Sequence, residues 1–233
     1  MRPDDRRLAA SSHLFAGLEP GAVEEILDRA EVRTAERKEH FFRQGEAISG
    51  LFLLLAGRVK LIQLGSGGDE VVLRFCGPGE LFAAVAALDR PARFPVSAQA
   101  LSRARVAFWP RPEIRELFER HPGLAATLAQ TIAERTHELQ SRLREVATER
   151  VPRRVAHMLL RLARRAGQPV EGGTLIDFPL TRQDLAEMTG TTLYTVSRLL
   201  NAWSERGLVE VGRGRVVVRS ESGLEEVADE EEG

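Results

Sequence analysis

Thr191-Thr192-Leu193-Tyr194-Thr195-Val196-Ser197-Arg198-Leu199-Leu200-Asn201-Ala202-Trp203 carries two opposed stripes. Val196, Leu199, Leu200 and Trp203 recur at i, i+3, i+4 and i+7, which on a helix makes one apolar face. Tyr194, Ser197, Arg198 and Asn201 repeat that spacing two residues earlier and turn to the far side. A helix that needs only solubility usually presents Lys and Glu there. This one presents groups that hydrogen-bond base edges and phosphates, so it reads as a DNA-recognition helix.

The flanks extend the pattern. Thr181 caps a short helix, with Asp184 three residues on as the acidic half of a capping-box pair. Leu185, Ala186 and Met188 give that helix a buried side, Gly190 breaks the chain, and Thr192 caps the second helix. Two helices across a tight glycine turn make a helix-turn-helix. Beyond Trp203, the runs Leu208–Val211 and Arg215–Arg219 flank Gly212-Arg213-Gly214, which predicts a β-hairpin, the wing of a winged helix-turn-helix. The DNA-contacting set expected from this is Thr181, Arg182, Gln183, Thr192, Leu193, Tyr194, Ser197, Arg198, Asn201, Arg213 and Arg215. Of these, Thr181, Arg182 and Gln183 are expected on the phosphate backbone at a helix N-terminus.

The net charge of −1 would argue against nucleic acid if it were even along the chain. Between Val151 and Arg219, eleven arginines face six acids, a net of +5, while Ser220 to Gly233 holds seven acids and no base. Local charge governs phosphate binding through counterion release, so the module, not the total, decides. The acidic tail is expected to be disordered. A chain of 233 residues with 43% hydrophobic content supports two modest domains. The Arg- and Asp-rich start has no signal peptide, and Leu51 to Ala56 is too short an apolar run to span a bilayer, so no membrane role and a cytoplasmic location are expected. The single cysteine suits a reducing compartment and excludes a four-cysteine iron–sulfur cluster.

The first half has another texture. Leu51–Leu55, Arg58–Leu64, Glu70–Cys76, Val96–Ala100 and Arg105–Trp109 are short β-rich runs punctuated by glycines, the pattern of an antiparallel jelly roll. Helices are expected around Ala22–Ala30, over Pro112–Arg120, and from about Gly123 to Glu149. On the last, Ala125, Ala129, Ile132, Thr136, Leu139, Leu143 and Val146 alternate by four and three, a heptad seam that predicts a homodimer coiled coil. The organisation is α+β: a β-roll sensor with its N-terminal helix over 1–122, a long dimerisation helix over 123–150, a winged helix-turn-helix over 151–219, and the tail over 220–233.

This order resembles the CRP/FNR family of bacterial transcription regulators, from Leu14-Phe15-Ala16-Gly17-Leu18 to the wing. Its most telling matches are Phe42-X-X-Gly45, Leu55-X-Gly57-X-Val59-Lys60, Pro78-Gly79-Glu80-Leu81 and Thr195-Val196-Ser197-Arg198-Leu199-Leu200. The resemblance implies a cyclic-nucleotide-binding-like β-roll, a homodimer on a palindromic promoter site, and contact with RNA polymerase. It implies that Arg198 reads guanine through its planar fork. The family's glutamate falls on Tyr194, which cannot present a carboxylate, so either the half-site departs from the well-known consensus there or Tyr194 only touches a phosphate through its hydroxyl.

The resemblance also places an effector pocket at Gly79, Glu80, Leu81, Arg93, Phe94, Pro95, Leu139 and Gln140. Members that bind cyclic AMP carry an Arg-Ser pair where Phe94-Pro95 stands and a Thr-Ser pair where Leu139-Gln140 stands. Without that guanidinium a buried cyclic phosphate lacks its counter-charge, which argues against cyclic AMP. Arg90 and Arg93 lie near enough to substitute. The Phe94-Pro95-Val96-Ser97-Ala98 run tilts toward the FNR side of the family, which senses oxygen, nitric oxide or redox state. Cys76 reads as a buried inert thiol, and none of His13, His40, His121, His137 and His157 sits in a haem-ligating motif, so the effector stays unnamed. Catalytic and metal sites are expected to be absent: no G-x-x-x-x-G-K-[ST], H-E-x-x-H or C-x-x-C occurs.

Overall fold

The computed structural model describes residues 1–65, 70–84 and 93–229, in two compact units, Met1–Glu138 and Leu139–Gly233. In the first, helix α1 (Pro3–Ala10), a 3-10 turn (His13–Phe15) and α2 (Pro20–Asp28) precede the strands. These are β1 (Glu31–Ala35), β2 (His40–Phe42), β3 (Gly50–Ala56), β4 (Val59–Leu64), β5 (Glu70–Cys76), β6 (Leu81–Phe82), β7 (Ser97–Ala100) and β8 (Ala104–Pro110). Helix α3 (Arg111–Arg120) follows, and α4 (Pro122–Thr148) begins in the first unit and ends in the second. The second unit adds α5 (Val151–Ala166), β9 (Gly167–Val170), β10 (Gly173–Ile176), α6 (Arg182–Thr189), α7 (Leu193–Glu205), β11 (Val209–Gly212), β12 (Arg215–Val218) and α8 (Glu221–Asp229).

Two antiparallel sheets, β1-β8-β3-β6 and β2-β7-β4-β5, build the β-roll. Strand β3 is an unbroken apolar run because both its faces are covered: Leu51 through Leu55 are all buried. Gly50 leaves room for its neighbours, since a Cβ there would lie 2.1 Å from the Trp109 carbonyl and within 2.7 Å of the Phe108 ring. The core is rich in phenylalanine. Phe42 stacks on Phe94 with ring centroids 3.8 Å apart, Phe52 on Phe82 at 5.3 Å, and Phe108 tilts against Phe52 at 4.7 Å. The indole of Trp109 donates to the Ile26 carbonyl at 2.7 Å, tying α2 to β8.

In the second unit a four-stranded sheet, β11-β12-β10-β9, stands beside three helices and α8. The acidic tail departs from expectation. Residues 221–229 form α8, with Ser220 accepting from the Gly223 amide at 3.0 Å and Leu224, Val227 and Ala228 buried. Those three apolar residues sit at i, i+3 and i+4 and pack on α5, while Arg153 donates to the Ala228 carbonyl and Arg164 pairs with Glu225 at 2.7 Å. Burying one stripe outweighs the acids on the other. The folded domain therefore runs past 219 to at least Asp229.

Candidate nucleic-acid interface and sensor site

The helix-turn-helix forms as its sequence requires. Thr181 Oγ1 accepts from the Asp184 amide at 3.0 Å and Asp184 Oδ2 accepts from the Thr181 amide at 2.9 Å, a full capping box. Gly190 closes α6 at φ +62°, a left-handed position that favours glycine. Thr192 then caps α7 through the Thr195 amide at 3.2 Å. Val196, Leu200 and Trp203 are buried and Leu199 half-buried, so the opposite stripe faces out.

On that stripe Tyr194 is 71% exposed, with the Arg198 guanidinium 5.8 Å from its ring centroid. Arg198 and Asn201 are exposed and Ser197 is half-buried. Asn201 accepts from Arg182 at 3.0 Å, which joins the start of α6 to the recognition helix. Gln183 donates to Glu187 at 2.9 Å, one turn along α6. Arg213 and Arg215 are exposed at the wing, and Leu193 is 48% exposed at the start of α7. The structure thus brings the expected DNA-contacting residues onto the outside of one module.

One residue that orients this module went unread. Arg154 on α5 is buried and donates to the carbonyls of Glu149 (2.7 Å), Thr189 (2.9 Å) and Gly190 (3.3 Å). It satisfies carbonyls at the ends of α4 and α6 that have no helical partner. A guanidinium offers five donors in a rigid fork, which is why arginine fills this place.

The sensor residues divide. Gly79 donates its amide to Leu54 O at 2.8 Å and its carbonyl accepts from Ser12. Glu80 accepts from the Gly77 amide at 2.8 Å and from Arg135 at 3.2 Å, and Leu81 O accepts from Arg74 at 2.9 Å. Phe94 and Arg93 do not join them. Phe94 is consumed by the phenylalanine core, Pro95 is exposed, and Arg93 donates to Gly45 O at 2.6 Å. Phe94 was expected to line a pocket; its stack on Phe42 makes it core instead. Leu139 and Gln140 are exposed on the second unit's part of α4, and Arg90 lies outside the described residues. Arg74 and Arg135, which sequence reasoning did not select, stand where the other three converge. Cys76 is fully buried, and that burial pushes its thiol up from the ordinary value.

Three of the five histidines stand beside carboxylates. His121 lies 3.2 Å from Glu25, His157 3.7 Å from Glu149 and His13 3.9 Å from Glu134. Along α4, Leu124 and Leu128 are buried against the β-roll, whereas Ile132, Leu139, Leu143 and Val146 of the seam are 38%, 56%, 71% and 47% exposed. Ala129 and Thr136 are exposed as well, and Ala125 is half-buried. No helix among the described residues is long and apolar enough to cross a membrane.

A β-roll followed by a winged helix-turn-helix with an exposed Arg-bearing recognition face defines a DNA-binding regulator with a sensor-type domain. The chain matches the Crp-like helix-turn-helix domain over residues 153–227 and the cyclic nucleotide-binding domain over residues 32–121. It is 35% identical over 217 residues to the cyclic AMP receptor protein of Thermus thermophilus, covering 93% of this chain and 97% of that one. It is 26% identical over 215 residues to the CRP-like cAMP-activated global transcriptional regulator of Mycobacterium tuberculosis, covering 92% and 95%. Among solved structures, the Thermus thermophilus catabolite activator protein is 35% identical, covers 93% of this chain and 98% of its own, and superimposes with a TM-score of 0.55. The chain belongs to the CRP/FNR family of transcription regulators, and it is a DNA-binding protein, not an enzyme.

Proposed function

We propose that the protein is a homodimeric, sequence-specific regulator of promoters, controlled by an effector or a redox or gas signal at its β-roll. The observation that carries the reading is the outward stripe of α7, Tyr194, Ser197, Arg198 and Asn201, standing on the buried Val196–Leu200–Trp203 face of a capped helix. Arg198 reads a guanine, and Thr181, Arg182, Gln183, Thr192, Arg213 and Arg215 set the register on phosphates. The exposed seam on α4 supports a twofold partner, which would set two recognition helices about 34 Å apart on a palindromic site. RNA polymerase is the second partner that family membership suggests.

A second reading is a cyclic-nucleotide-responsive regulator with a non-standard phosphate pocket. The names of the two relatives favour it. The buried Phe94 and exposed Pro95 weigh against the usual phosphate grip, and the same names lend no support to the FNR-side tilt. Selection from random duplexes tests the first reading. Arg198→Ala should cost about 1–3 kcal/mol on the selected site and relax one base position per half-site. Uniform weakening across all sequences would reduce Arg198 to a phosphate contact, and no selected sequence at all would overturn the regulator assignment.

A further inference from the structure

Apolar surface on the second unit is confined to two places. One is the α4 seam; the other is the start of α7, where Leu193 and Tyr194 are 48% and 71% exposed, and the unit's described residues expose no further large apolar side chain. Leu193 opens α7, three residues before Val196 and four before Ser197, so it stands where the buried stripe meets the outward one. Thr192 caps that turn through the Thr195 amide, and the two threonine hydroxyls lie 2.9 Å apart. The cap fixes the first turn, and with it the edge on which Leu193 stands. Nearby polar groups are partly engaged: Asn201 Oδ1 accepts from Arg182 at 3.0 Å, and the Arg198 guanidinium stands 5.8 Å from the Tyr194 ring.

An aliphatic side chain offers nothing to a phosphate or to the donors and acceptors of a base. In the major groove it gains only by covering another apolar group, and the C5-methyl of thymine is the one that the four bases present there. A recognition helix brings its N-terminal residues to base edges, and Leu193 is the first residue of this one. It precedes Arg198 by five residues. That is ~7.5 Å along the helix, or roughly two base-pair steps. We infer that Leu193 is a specificity-determining residue that reads a thymine methyl, and that each half-site holds this thymine within about three base pairs of the guanine read by Arg198. The inference names the bases for the DNA-binding reading proposed above and rests on it.

Fluorescence anisotropy of the full chain on a duplex selected from random sequence tests it. Each thymine is replaced in turn by deoxyuridine, which lacks only the methyl. One thymine per half-site should show a loss of roughly fourfold, the weight of one buried methyl. At that position 5-methylcytosine paired with guanine should bind more tightly than cytosine paired with guanine, by a similar factor. In Leu193→Ala the ratio between thymine and deoxyuridine should fall to about one, whereas Leu193→Met, which keeps an apolar side chain of similar volume, should retain it. The wild-type arms need no variant, so a misfolded Leu193→Ala still leaves the thymine prediction exposed to refutation. Deoxyuridine tolerated at every thymine, or discrimination that survives Leu193→Ala, overturns the inference. Discrimination lost in Tyr194→Ala but kept in Leu193→Ala would overturn it too, by giving the methyl to Tyr194. A selected site that still depends on Arg198 while every deoxyuridine is silent defeats the Leu193 reading alone; no selected site at all is the failure of the regulator assignment.

Discussion

Arg154→Met removes a guanidinium from the junction of α4, α5 and the helix-turn-helix while keeping most of the aliphatic stem. The native group makes two short donations, to Glu149 O at 2.7 Å and Thr189 O at 2.9 Å, and a longer one to Gly190 O at 3.3 Å. Charged hydrogen bonds contribute about 1.5–3 kcal/mol each. The two short ones set a loss of roughly 3–6 kcal/mol. Against this, methionine no longer has to desolvate a charge, which returns part of the loss. A net of about 3 kcal/mol is expected, at the low end of the range, and confined to the second unit. Arg154→Lys should recover less than half, since one ammonium cannot span three carbonyls in a fork geometry.

Hydrogen exchange read by mass spectrometry resolves where the stability goes. Peptides from 151–205 should lose protection by the factor that corresponds to this energy, roughly a hundredfold. Those from the β-roll, including β3 and β8, should exchange as in the wild type. A stability change below about 1 kcal/mol, or equal loss in β-roll peptides, would refute the reasoning, because either outcome denies that Arg154 closes those helix ends.

The exposed seam predicts that Leu143→Asp dissociates the dimer in analytical ultracentrifugation. Burying one leucine from each copy is worth about 2 kcal/mol apiece, so dimer affinity should fall roughly a thousandfold. The thermal midpoint of the β-roll should barely move, because Leu143 is 71% exposed within its own chain. Cys76, fully buried with its thiol pushed up, should react with iodoacetamide only at the rate of unfolding; rapid alkylation of the native chain would contradict that burial. His40 is held below its ordinary value by burial and then by Arg43. The unfolded chain therefore binds the proton first as pH falls below about 6.5, and stability declines from there until the folded-state value is passed. His40→Gln should flatten that decline in urea titrations at pH 7 and 5.5, and an unchanged slope would remove His40 from the account.

Where structure is set by neighbours in sequence, this chain is readable. The capping box of Thr181 and Asp184, the Gly190 stop and the Val196–Leu200–Trp203 stripe are local signals, and each forms as its spacing requires. The five β-rich runs likewise fall on β3, β4, β5, β7 and β8. Strand β1 escaped because four of its five residues are exposed, and β9 because it is a four-residue strand containing Pro169. The tail was misread by weighing seven acids above three apolar residues at helical spacing. Leu224, Val227 and Ala228 were the better guide, since a stripe needs only one face. Phe94 could not be read because its fate depends on Phe42, fifty-two residues away, arriving at stacking distance.

The two unread arginines show why the sensor was harder than the DNA-binding module. Simple alternation along β5 places Val72, Arg74 and Cys76 on one face, but the register shifts between Leu61 and Ile62, and opposite Arg74 and Val72, so only Cys76 stays with Arg74. That irregularity depends on β4 and leaves no mark in β5 alone. Arg154 and Arg74 are then told apart by their partners. Arg154 spends its donors on three carbonyls that need them, so it is scaffold. Arg74 instead donates to Cys76 Sγ and Leu81 O and keeps an Nε–H that reaches no acceptor.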